Sequence, residues 1–308
     1  MQTHMYEAWY CYCMDTKHSS ISPTAKLTAY MRAETNIAYS QEIARICDAQ
    51  KVSEDLFGLS GDDREWHPSL FELRYKSLSA CLKKEMNERG ISQVLELGAG
   101  VLPRGMVMSK NSEITYVETD LHDIIEEKRN IIKEIDLSIL ARDNYFLREL
   151  NVVSQDDFTA VKKVFAGGKL AVINEGLLTY LSPDEKATVV KNIHALLNEL
   201  GGVWITPDLS NSDRMKKIIE IYPGAAGFMN KNLGRVVGRN LRNNSVSKGS
   251  GKAAAVKFYE DLGFSSTEYK AMGFVDSLDA LDKIEDLSKR KKLFAALNTS
   301  CVWVLEAK

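Results

Sequence analysis

From residue 91 onward, short apolar runs alternate with stretches in which apolar side chains recur every three or four residues. The runs Val94-Leu95-Glu96-Leu97, Ile114-Thr115-Tyr116-Val117, Leu170-Ala171-Val172-Ile173 and Val203-Trp204-Ile205-Thr206 predict strands, with a weaker one over Tyr145 to Val153. Between them, Asp123 to Ile135 carries Ile124, Ile125, Lys128, Ile131, Ile132 and Ile135 at helical spacing, and Asp156 to Val164 and Ser182 to Leu200 also read as helices. The last of these is punctuated at both ends, with Ser182 suited to the N-cap, Pro183 to N1 and Gly201 to the residue past the end. The final third predicts a helix over Ala253 to Leu262, a strand near Ser265 to Tyr269, a helix from Ser277 to Leu297 and a closing strand, Cys301 to Glu306. The N-terminal stretch reads as helical over Thr24 to Ala33, Ser40 to Ala49 and Ser69 to Met86, with short loops holding Gly58, Gly61 and Pro68.

Strand, helix, strand in repetition implies an α/β protein with a mostly parallel sheet covered by helices on both faces. A strand-helix-strand ending after five βα units is compatible with a seven-stranded sheet whose last strand inserts antiparallel. Composition adds mainly exclusions. Among 308 residues, 40 Lys+Arg stand against 42 Asp+Glu, a formal charge of −2, with 44% hydrophobic residues. That is enough for a sizeable core, and it excludes disorder and general polyanion binding. No run approaches the ~18 apolar residues of a membrane span. Met1 to Met14 lacks a basic stretch followed by an apolar one, and the five cysteines (Cys11, Cys13, Cys47, Cys81, Cys301) are odd in number and thinly spread. These features predict a soluble, reduced, cytoplasmic protein.

The candidate chemistry begins at Glu96-Leu97-Gly98-Ala99-Gly100. Two glycines directly after a buried strand let the backbone turn sharply and approach a ligand, at the sheet edge where open α/β folds bind theirs. Glu118 and Asp120 end the next strand, 20 and 22 residues beyond Gly98. A carboxylate there can accept both ribose hydroxyls of an adenosine; Asp120 is the preferred candidate, with Asp123 better placed to cap the following helix. A dinucleotide fingerprint would need a third glycine at position 103, where Pro103 stands, and Gly105 comes two residues late. No Walker-type phosphate loop occurs. An adenosine ligand without phosphates remains, and S-adenosylmethionine is the natural one.

The order Lys26, Arg74, Glu96 to Gly100, Glu118-Thr119-Asp120 and Asn174-Glu175-Gly176-Leu177-Leu178-Thr179-Tyr180-Leu181-Ser182-Pro183 resembles the leucine carboxyl methyltransferase family, and most the branch of tetracenomycin polyketide O-methyltransferases. Ser22 to Lys26 with Tyr30 and Arg32, and Phe71 to Arg74, favour this family over a generic methyltransferase. The resemblance implies a Rossmann-like class I methyltransferase fold. Residues 1–88 would form a helical cap, 89–208 the cofactor core, 209–262 a substrate-covering insertion and 263–308 a C-terminal strand-helix-strand, all within one domain. It further implies that Lys26 and Arg74 reach the methionyl carboxylate, that Gly98 with Ala99, Gly100 and Glu96 lies beneath the cofactor, that Asp120 (or Glu118) holds the ribose, and that Glu175 lies beside the amino-acid end. Family members carry an Asp after the third strand, near the adenine; Asn151-Val152 stands there in this chain. A carboxylate and an ammonium on one ligand do call for Arg or Lys on one side and Glu on the other.

The implied reaction is O-methylation of a carboxyl group on a small or polyketide-like acid. A carboxylate, with a pKa near ~4, needs no general base at neutral pH. A hydroxyl acceptor would need one, for which His122 and Tyr180 are candidates. From Ile221 to Tyr259 the chain carries Lys231, Arg235, Arg239, Arg242, Lys248, Lys252 and Lys257 and no acidic residue. The first four share a helical face that would attract an acidic acceptor. The segment has few interleaved aromatics, which disfavours a nucleic-acid acceptor. Cys11 and Cys13 with His4 and His18 match no zinc spacing, so no metal is expected. An NAD(P)-dependent oxidoreductase and a non-catalytic binding protein of the same fold are the competing classes.

Overall fold

The computed structural model describes residues 23–59, 61–208, 212–227 and 252–308. The cap begins with α1 (Pro23–Ala33), α2 (Ser40–Ile46) and α3 (Ala49–Phe57), which pack on one another and, through α1, on α4 (Gly61–Arg89). Helix α4 absorbs the expected loop at Gly61 and Pro68: Pro68 lies inside it. Proline there forfeits one backbone hydrogen bond, and burial of Trp66, Leu70 and Leu73 on the same helix offsets that loss.

The core follows as β1 (Gln93–Leu97), α5 (Arg104–Met108), β2 (Thr115–Asp120), α6 (His122–Asp136), β3 (Tyr145–Glu149), α7 (Gln155–Lys162), β4 (Leu170–Asn174), α8 (Pro183–Leu200) and β5 (Gly202–Thr206). Helix α8 starts with the expected cap, completed by a reciprocal Ser182–Glu185 box with Pro183 at N1, and Gly201 follows it. The short α5 has no counterpart in the sequence reading. In the C-terminal part, α9 (Ser212–Ile221), α10 (Gly224–Gly227) and α11 (Lys252–Asp261) precede β6 (Phe264–Lys270). The helix expected over Ser277 to Leu297 is broken into α12 (Asp279–Asp282) and α13 (Leu287–Leu297) before β7 (Cys301–Ala307). Two carboxylates cause the break: Asp286 caps α13 through the Ser288 and Lys289 N–H groups, and Glu72 of α4 accepts the Asp279 and Ala280 N–H groups at 2.9 Å each.

The seven strands form one sheet in the order β3-β2-β1-β4-β5-β7-β6, in which β7 alone runs antiparallel to its neighbours. Strand residues alternate between two apolar layers, with Val94, Tyr116, Ala171, Ile173 and Ile205 on one side and Leu95, Val117, Val172 and Trp204 on the other. This two-sided burial is why the strands read as continuous apolar runs. The chain order reverses between β1 and β4, so the crevice at their carboxyl ends is the ligand position of an open α/β sheet. Residues 228–251, with five of the seven basic positions, lie outside the described residues, as do His4, Cys11, Cys13 and His18. Lys252 and Lys257 are described, and pair with Glu268 and Asp261. Among the described residues no helix is long and apolar enough to cross a membrane.

Candidate active site

Strand β1 leads into the glycine turn at the point where the sheet order reverses. Gly98 and Gly100 have φ of 61° and 51°, a region that side chains rarely adopt. A Cβ on Gly98 would stand 3.0 Å from Leu177, whereas one on Gly100 would meet nothing within 4 Å. The N–H of Gly100 donates to Asp120 Oδ2 at 2.8 Å, and the N–H of Leu121 donates to Oδ1 at 2.8 Å. Asp120 therefore stands at the end of β2 clasping the turn after β1. Burial raises its carboxyl above the ordinary value, with the two N–H groups opposing.

Beneath the turn lies a buried ion network that the sheet register creates. Glu96 pairs across the strands with Glu118, which brings two acids side by side inside the protein. Each is met by its own cation. Arg104 of α5 contacts Glu96, and Tyr116 donates its hydroxyl to Glu96 at 2.7 Å. Lys128 of α6 reaches Glu118 at 2.7 Å, where the Tyr145 hydroxyl and the Gly105 N–H also donate. Gly105 has a steric role here, since a Cβ on it would fall 2.6 Å from the Glu118 carboxyl. Glu96 and Glu118, both expected beside the cofactor, thus spend their carboxylates on partners within the protein.

Arg104 also joins Glu175, just past β4, and donates to Ser79 at 2.9 Å with its guanidinium over the Tyr75 ring. The second oxygen of Glu175 accepts Arg74 Nε at 2.9 Å. Burial works to raise the Glu175 carboxyl, yet Arg74, Arg104 and Arg32 together outweigh it and hold it below the ordinary value. Arg74 and Glu175, both expected at the amino-acid end of the cofactor, are paired with each other here. Lys26 is buried on α1, and its charge acts on Cys47.

Asp208, beyond β5, pins the loop that carries Glu175. It accepts the Gly176 N–H at 2.8 Å, the Leu178 N–H at 3.1 Å and the Asn174 amide at 2.8 Å. Sequence reasoning missed Asp208 and Arg104. The only signals were an acid two residues after a strand and a lone arginine after the glycine turn.

The remaining candidates have local partners. Asn151 closes a turn, its Oδ1 accepting the Val153 N–H at 3.2 Å, while its own N–H donates to Asp157 at 2.8 Å. The carbonyl of Val152 accepts the Asn192 amide at 3.1 Å. His122 lies at the exposed start of α6, 3.1 Å from Glu149. The Tyr180 hydroxyl donates to Thr24 at 2.9 Å, linking the loop after β4 to the cap. Among the described residues, no group of three or more His, Cys, Asp or Glu could hold a metal ion.

Comparison with known proteins adds a family to this geometry. The model of the leucine carboxyl methyltransferase family matches residues 32–194. Two solved structures share the fold over nearly the whole chain. A DUF574-family protein of Streptomyces avermitilis has a TM-score of 0.55 and 13% identity, covering 94% of this chain and 98% of its own. A Thermobifida fusca protein described as a methyltransferase has a TM-score of 0.52 and 15% identity, covering 92% and 94%. No curated relative matches.

Proposed function

Because the chain belongs to the leucine carboxyl methyltransferase family, whose model spans more than half of it, we propose that this S-adenosylmethionine-dependent methyltransferase transfers the methyl group to a carboxylate oxygen of a small acidic acceptor. The carrying observation is the convergence of Arg74, Arg104 and Glu175 at the end of β4 with the Gly98 to Gly100 turn and Asp120 across the sheet switch. These residues fit the cofactor. Opposite charges suit a zwitterionic amino-acid end, and the glycine turn with an acid at the end of β2 suits a ribose. A dinucleotide fits worse, because Pro103 occupies the position of the third glycine.

When bound, S-adenosylmethionine supplies an electrophilic methyl group on a sulfonium. The protein's own part is alignment and exclusion of water. Arg74 and Glu175 orient the amino-acid end, Asp120 holds the ribose, and Arg104 keeps Glu175 in register with β1. A carboxylate acceptor is already ionised at neutral pH, so no residue has to remove a proton.

The test is transfer of labelled methyl to a panel of carboxylic acids and phenols, followed by mild alkali. Methyl esters release methanol under those conditions and aryl ethers do not. Alkali-stable product alone would overturn the carboxylate assignment and bring His122 and Tyr180 forward as proton acceptors.

A further inference from the structure

The loop after β4 has two sets of contacts that alternate residue by residue. Asn174, Gly176 and Leu178 all bind one carboxylate. Asp208 Oδ2 accepts the Asn174 amide at 2.8 Å and the Leu178 N–H at 3.1 Å, and Oδ1 accepts the Gly176 N–H at 2.8 Å. The residues between them make their contacts elsewhere. Glu175 meets Arg104 and accepts Arg74 Nε at 2.9 Å, and Leu177 lies against the glycine turn, its Cδ1 3.0 Å from where a Cβ on Gly98 would stand. Gly176 is also the floor beneath Arg74. A Cβ there would stand 3.5 and 3.7 Å from the terminal guanidinium nitrogens and 3.8 Å from Cζ, so the guanidinium lies flat over it. One acid therefore fixes the backbone on which both Glu175 and Arg74 depend. That acid is anchored in the sheet, not in the loop. Its N–H donates to Thr206 Oγ1 at 3.1 Å, and Asn174 Oδ1 accepts the Trp204 indole N–H at 2.8 Å, with Thr206, Asn174 and Trp204 fully buried.

The geometry points to Asp208 as the positioning residue for the cofactor's amino-acid end: it clamps the loop so that Glu175 and Arg74 stand in place before the cofactor arrives. This rests on the reading that Glu175 and Arg74 orient that end. The clamp requires a carboxylate, because all three groups it holds are donors. An amide at position 208 has one accepting oxygen and would turn its own N–H groups toward at least one of those donors. With the loop unclamped, the ligand itself would have to order two long charged side chains, and that cost appears as lost affinity.

Calorimetric titration of the full chain with S-adenosylhomocysteine and with methylthioadenosine, which lacks the amino-acid end, tests this. Wild type should bind S-adenosylhomocysteine the more tightly. Asp208→Asn should lose about tenfold in affinity for S-adenosylhomocysteine and change little toward methylthioadenosine. The double variant Asn174→Asp with Asp208→Asn exchanges acid and amide. Its new amide can donate to the new carboxylate and still accept the Gly176 N–H, so it should recover part of the lost affinity. Thermal unfolding without ligand confirms that each variant is folded at the titration temperature. If only the single variant fails to fold, the double variant should show the same selective loss, smaller in size. Equal losses for both ligands, no loss for either, no recovery in the double variant, or failure of both variants to fold would each overturn the inference. Wild type that does not prefer S-adenosylhomocysteine would instead remove the reading of Glu175 and Arg74 on which it stands.

Discussion

Arg74 Nε donates to Glu175 Oε1 at 2.9 Å, and this ties helix α4 of the cap to the end of β4 across 101 residues of chain. Glu175 is buried with three arginines around it, so removing its charge acts on both the cap and the core. Its folded carboxyl lies below the ordinary value of 4.5. Ionised Glu175 therefore contributes stability that is fully present above that value and is lost as pH falls through the lower folded one. Urea unfolding of wild type and Glu175→Gln from pH 7 down to pH 3 should give two curves that converge at the acid end. Parallel curves would mean that Glu175 has the same proton affinity folded and unfolded.

Arg104→Met should be among the most damaging single changes. It leaves Glu96 and Glu175 buried without their shared cation, and loss of one partner of a buried pair costs about 3–5 kcal/mol. Chemical denaturation reads this directly. A loss under about 1 kcal/mol, the range of an exposed pair, would contradict the burial described for this network.

Asp120 and Glu118 should separate by phenotype. Asp120→Ala should weaken binding of S-adenosylhomocysteine by about tenfold or more while folding persists, because the carboxylate stands at the end of β2. Glu118→Gln should mainly lower stability, because its carboxylate is engaged by Lys128, Tyr145 and Gly105 inside the protein. Calorimetry and melting of both variants check this. The reverse assignment of effects would move the ribose contact to Glu118.

Gly105→Ala should destabilise by about 1–3 kcal/mol or more, because the added methyl falls 2.6 Å from the Glu118 carboxyl and 2.8 Å from the Tyr145 ring. Differential scanning calorimetry should show the loss. An unchanged melting temperature would mean that α5 can shift away from β2 without penalty.

S-adenosylmethionine at ~100 times its dissociation constant should add about 2.7 kcal/mol to folding stability. NAD at matched concentration should add nothing. A shift with NAD alone would reverse the choice of cofactor.

Much of the fold was legible because it is written locally. The apolar runs of β1, β4 and β5 and the capped α8 depend on neighbours a few residues away, and their bounds agree with the reading to within a residue or two. Where the reading went astray, a distant side chain intervened. Glu72 and Asp286 broke the helix expected over Ser277 to Leu297 by taking backbone N–H groups, and burial of Trp66 let α4 run through Pro68.

The site divides along the same line. The glycine turn, the acid two residues past Glu118 and the Glu-Gly step after the fourth strand could be read from the chain alone, since each is a short motif whose chemistry needs only its own neighbours. How those charges are matched depends on the packing of elements far apart in the chain. Arg104 lies between Glu96 and Glu175, and Lys128 answers Glu118. Whether a buried charge has a partner depends on which strands lie side by side and which helix crosses them, and no spacing along the chain encodes that.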